Sequence, residues 1–147
     1  VAPGTDLVIQ GALATALTRE LCQIHGLRAR DVDVDDLIGR AGGLLRTGTS
    51  ITLAVVGNAL KAFPGFGTLG GGLVHAVAYG LIFDSLGHAL ADTLANTREL
   101  DRDATLDAFR QRLAAPSAER LVALARLALE NRDEATAPSR TNPPPSP

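Results

Sequence analysis

The hydrophobic pattern falls into blocks with the three- and four-residue spacing of helices. Leu7 to His25 holds no proline and one glycine, and it ends at Gly26, which predicts one helix with Thr5 and Asp6 as N-cap candidates. Its first half, Leu7 to Leu17, is uncharged, whereas Arg19 and Glu20 mark a wetter second half. The acidic run Asp31-Val32-Asp33-Val34-Asp35-Asp36 suits the positive end of a following helix, expected to begin near Asp36. From Thr47 to Phe83, 37 residues carry one formal charge, Lys61. The turn Pro64-Gly65-Phe66-Gly67 divides this tract into two arms, Thr47 to Phe63 and Thr68 onward. Two amphipathic helices are expected next: Ala104 to Ala114, with Leu106, Phe109 and Leu113 on one side, and Ser117 to Asn131, with Leu121, Leu124, Ala125 and Ala128 on one side. From Ala135 the chain is rich in proline and lacks apolar residues, so a disordered tail is expected.

The pattern therefore predicts an all-α chain of about five helices with a central glycine-rich apolar helical hairpin. Its expected divisions are an apolar membrane-associated unit over 1–97, an amphipathic extension over 98–134 and a tail over 135–147. Seventeen helical residues rise about 25 Å, short of the roughly 30 Å hydrocarbon core of a bilayer. A re-entrant or interfacial hairpin is thus expected in place of two clean spans, with Lys61 beside the turn snorkelling to headgroups. The lack of a Trp/Tyr belt also counts against a conventional spanning pair. Ile51 to Gly57 has the composition of a buried strand, but the chain offers no second strand to pair with it. Gly72, Ala76 and Gly80 recur every four residues, as do Gly39 and Gly43, giving strips on which a neighbouring helix can pack closely.

Composition narrows the functional classes. The 147 residues suit one domain. Fourteen basic against 16 acidic residues give a net charge of −2, and aromatics are 3%, so neither an electrostatic nor a stacking basis for nucleic-acid binding exists. Hydrophobic residues make up 46% and charged ones 20%, with mean hydropathy +0.13, and the charges are unevenly placed. Cys22 is the single cysteine, which excludes an internal disulfide and mildly favours a reducing compartment. With no methionine, Val1-Ala2-Pro3-Gly4 reads as the middle of a longer polypeptide.

Candidate chemistry is sparse. Gly65-Phe66-Gly67-Thr68-Leu69-Gly70 matches the dinucleotide-binding spacing, with Asp84 19 residues after Gly65, yet Pro64 stands where a strand must end. Gly43 to Ser50 follows a phosphate-binding loop until Thr49, which replaces the required lysine. Asp84, His88 and Asp92 share one helix face at four-residue spacing, either a metal or proton-transfer set or a polar stripe where the helix leaves the apolar tract. His75 lies within the apolar tract, and Cys22 with His25 supplies too few donors for a metal. No set of catalytic, cofactor-binding or metal-ligating residues emerges.

Four segments carry a resemblance. Pro3-Gly4-Thr5-Asp6-Leu7 opens an apolar helix; Lys61-Ala62-Phe63-Pro64-Gly65-Phe66-Gly67-Thr68-Leu69-Gly70-Gly71-Gly72 forms a glycine-rich turn; His75-Ala76-Val77-Ala78-Tyr79-Gly80 and Ser85-Leu86-Gly87 follow. Together they resemble the bacterial domain-of-unknown-function family 697 over about residues 1–97. The resemblance implies a non-catalytic, membrane-associated domain standing C-terminal to an Era-like GTP-binding domain. GTP and Mg²⁺ would then be bound upstream of Val1, with no cofactor in this chain. The implied partners are the membrane or partner helices and that upstream domain, and the implied location is the cytoplasmic membrane, peripheral or integral. The alternative is a cytoplasmic helical bundle that acts as an interaction or homo-oligomerisation module.

Overall fold

The computed structural model describes residues 5–62 and 71–136, and among these the chain is all-helical. The helices are α1 (Thr5–Ile24), α2 (Asp31–Lys61), α3 (Gly71–Thr97), α4 (Arg102–Ala114) and α5 (Ala118–Thr136). The expected turn residues Pro64, Gly65 and Gly67 and the tail beyond Thr136 lie outside the described residues.

Local chemistry sets the boundaries. Helix α1 ends in a Schellman turn: Gly26 adopts φ +72°, the Leu27 amide bonds the Cys22 carbonyl at 2.8 Å, and the Gly26 amide bonds that of Gln23 at 3.0 Å. Helix α2 starts at Asp31 and not near Asp36, so the acidic run lies inside its first turns, where Asp31 and Asp33 face the positive end of the dipole. The residue preceding it, Arg30, makes no side-chain capping bond. Helix α4 is capped by Asp101, whose carboxylate accepts from the Ala104 amide at 3.0 Å.

Helix α2 is also longer than expected. The helix predicted from Asp36 and the first apolar arm are one continuous element, and the strand-like Ile51–Gly57 segment is helical within it. Thirty-one residues rise about 46 Å, enough to reach two hydrophobic clusters. The first gathers Leu37 and Ala41 of α2, Ile82, Leu86, Ala89 and Leu90 of α3, and Leu106 and Phe109 of α4. The second gathers Val56 and Leu60 of α2, Leu73, Val77, Ala78 and Leu81 of α3, and Leu121 and Ala125 of α5. Early α2 residues meet late α3 residues and the reverse, so α2 and α3 form an antiparallel pair.

Helix α3 is the central element and packs against each of the other four. It is long and apolar enough over Gly72–Thr97 to cross a membrane, yet half of its apolar window is buried inside the chain. Helices α4 and α5 each complete one of the two clusters, and the chain leaves α3 through Arg98 at φ +54°.

Candidate functional site

The polar stripe of α3 is the first candidate, and its side chains are committed to neighbouring helices. Asp84 accepts a hydrogen bond from Arg120 of α5, which also reaches the buried Ser85 hydroxyl at 3.4 Å. Asp92 accepts from Arg112 of α4 at 2.6 Å. The His88 ring Nδ1 bonds the Asp84 carbonyl at 2.8 Å, one turn back on the same helix. Charge-assisted bonds from two guanidinium groups thus join α3 to α4 and α5. Among the described residues no group of three or more metal-binding side chains converges. Arg112 and Arg120 were not singled out from the sequence, because nothing in a linear pattern ties them to carboxylates 20 and 36 residues away.

The small-residue strips are placed differently from one another. A Cβ added at Gly80 would lie 3.2 Å from Leu124 Cδ2, so this position brings α3 close to α5. Gly39, Gly43 and Gly72 face open space and Ala76 is exposed, so none of these holds a described helix at close approach. Two glycines outside the expected strips sit nearer to neighbours: Gly87 against Leu17 at 3.7 Å and Gly57 against Val74 at 3.9 Å. Lys61 is exposed at the end of α2, and His75 is exposed on α3 with its ring 6.3 Å from that of Tyr79.

The second candidate is α1. Its inner side meets the first cluster through Ala14 and Leu21, with Thr18 and Cys22 fully covered. Burial pushes the Cys22 thiol above its ordinary pKa, which makes it a poor nucleophile. The outer side is also apolar: Ile9 and Leu13 are 53% and 54% exposed, with exposed Ala12 and Ala16 between and beyond them. No charged residue occurs from Leu7 to Thr18, so the exposed positions Ile9, Ala12, Leu13 and Ala16 form an uncharged patch between Asp6 and Arg19. An ordinary bundle helix is polar on that side.

The third candidate is a groove of about 360 Å³ where α1, α2 and α3 meet over Phe109 of α4. Ile82, Leu86 and Phe109 form its apolar floor, Gly11, Gly39 and Gly42 leave its walls thin, and Gln10, Arg46 and Tyr79 supply its polar groups.

Compared with family models, curated proteins and solved structures, the chain matches none.

Further ion pairs join early α2 to α4 and to its own preceding residue. Arg102 bonds Asp36 at 2.8 Å and Arg40 bonds Asp103 at 2.7 Å, fastening α4 to early α2. Arg30 bonds Asp33 at 2.9 Å and holds its carboxyl below the usual carboxylate range, with a smaller contribution from Arg102.

Proposed function

We propose that this chain is a non-catalytic membrane-associated domain that anchors an upstream GTP-binding domain, or couples it to the membrane. The observation that carries the reading is the outer face of α1, where Ile9, Ala12, Leu13 and Ala16 are exposed on a helix already apolar on its inner side. Such a face gains free energy by entering the boundary between headgroups and acyl chains. The resemblance of residues 1–97 to family 697 supports the coupling to a GTP-binding domain. Membrane contact through α1 is peripheral. Helix α5 lies along the apolar half of α3 with Glu119, Arg126 and Glu130 on its exposed side, and immersing those charges would be costly.

Flotation on vesicles of phosphatidylcholine and phosphatidylglycerol tests this reading. The parent chain floats with the vesicles, whereas Ile9→Asp/Leu13→Asp stays in the lipid-free fraction. Complete recovery of the parent in the lipid-free fraction overturns it. The coupling is tested by the sequence encoding the residues before Val1: absence of a strand, a Gly-x4-Gly-Lys-[Ser/Thr] loop and a helix overturns that half alone.

A second reading, an interaction or homo-oligomerisation module away from membranes, is favoured by the burial of half of the apolar window of α3 and by its links to Arg112 and Arg120. A lipid-independent dimer in sedimentation that Ile9→Asp/Leu13→Asp converts to monomer supports this reading in place of the first.

A further inference from the structure

The groove beneath α1 opens over the first cluster and has the properties of a ligand site. Its volume, about 360 Å³, falls in the range of small-molecule pockets, roughly 300–1,000 Å³. Gly39 and Arg46 of its lining are exposed, so it is a groove open to solvent, and the gap between the helices there has a cause. The cause lies in the sequence: Gly11, Gly39 and Gly42 contribute no side chain, and a Cβ at each would meet nothing within 4 Å among the described residues.

The polar groups of its lining are Gln10 of α1, Arg46 of α2 and Tyr79 of α3. Ile38 and Arg46, eight residues apart on α2, are separated by about 12 Å along the helix. Among the described residues of the lining Arg46, exposed at the surface, is the one that carries a charge, and no described carboxylate pairs with it. A second hollow of about 460 Å³ between α2 and α4 differs in this respect, because its charges Arg40 and Asp103 neutralise each other at 2.7 Å.

We propose that this groove seats one acyl chain of an anionic lipid, with the apolar floor holding the chain and Arg46 bonding the headgroup. Charge complementarity selects the anion, and the apolar floor over Phe109 selects the chain. The inference rests on the membrane reading of α1, since Gln10 and Gly11 line the groove one turn from the exposed Ile9 and Leu13. A lipid at the surface touched by α1 is thereby within reach of the opening.

Titration of the full chain with dodecyl phosphate below its micelle concentration tests the proposal, with dodecyl maltoside as the uncharged control. One dodecyl phosphate binds per chain, and more tightly than the maltoside. Gly42→Leu fills the groove and weakens binding at least tenfold; Gly39→Leu at its rim does the same and serves if the first variant does not fold. Both replacements raise helix propensity within α2, so the thermal midpoint stays level or rises. Arg46→Gln weakens phosphate binding by roughly tenfold, the size of one charge-assisted hydrogen bond, and leaves maltoside binding unchanged. Absence of saturable binding, binding by both leucine variants equal to the parent's, or a phosphate affinity unmoved by Arg46→Gln overturns the proposal. Its failure is separable from that of the membrane reading. If the parent floats on vesicles and the leucine variants bind dodecyl phosphate as it does, the groove assignment alone is wrong. If the parent binds dodecyl phosphate but does not float, the surface assignment alone is wrong.

Discussion

Helices α1 and α5 both lie along α3 and both bury an apolar side, but their outer sides differ. Helix α5 presents Glu119, Ala123, Arg126 and Glu130 to solvent, with Leu127 as a lone exposed leucine. Helix α1 presents Ile9, Ala12, Leu13 and Ala16, and between Asp6 in its first turn and Arg19 it carries no charge. Isolated exposed leucines are normal on protein surfaces, whereas a contiguous uncharged face on an outer helix marks a contact surface. The difference teaches that amphipathicity alone assigns α5 to packing, while its loss assigns α1 to packing and something further.

The largest effect on this comparison comes from the inner side of α5. Leu121 is 2% exposed, and Leu121→Ala lowers stability by about 2–5 kcal/mol, read from urea unfolding. The charged link comes next. Arg120→Ala leaves the part-buried Asp84 without its cation and costs about 1–2 kcal/mol, and Asp84→Asn in that background recovers part of the loss. On the outer sides, Leu127→Asp and Leu13→Asp each move stability by no more than about 0.5 kcal/mol. They separate in flotation, where Leu13→Asp reduces vesicle binding and Leu127→Asp leaves it intact. Equal loss from the two would erase the distinction between the helices.

The smallest expected effect lies at the start of α2. Arg30 depresses the Asp33 carboxyl in the folded chain, so the stabilising contribution of that pair is complete above the unfolded value of about 3.9 and is lost as pH falls through the lower folded value. Asp33→Asn therefore lowers the neutral plateau of the stability curve slightly, flattens its acid limb and leaves the value at the acid extreme nearly unchanged, as followed by circular dichroism.

Much of the fold was legible because helical spacing is a local property. The buried Leu106 and Phe109 of α4 and Leu121 and Ala125 of α5 all came from the sides their periodicity marked. The continuity of α2 was not legible. Ile51 to Val56 is rich in β-branched residues, and only packing of Val56 and Leu60 against Leu73 and Val77 overrides that preference. The glycine strips were visible as spacing, but which of them meets a helix depends on rotation about the helix axis. Gly80 faces Leu124 whereas Gly39 and Gly43 face open space. The groove was illegible for the same reason: Gln10, Arg46 and Tyr79 come from three separate segments. The exposed face of α1 was half legible, since the lack of charge from Leu7 to Leu17 is plain in the sequence but its outward side is not.

The length of α2 carries one more consequence. Gly39, Gly42, Gly43 and Gly48 fall within ten residues at the middle of the helix, each less favourable there than alanine by about 1 kcal/mol. The helix that joins both clusters is therefore weakest at its centre and firmest where Leu37 and Val56 anchor it. Amide protons between Gly39 and Gly48 should exchange with solvent sooner than those at the anchored positions, and each opening there parts the wall of the groove. The long helix is a clasp with its hinge in the middle.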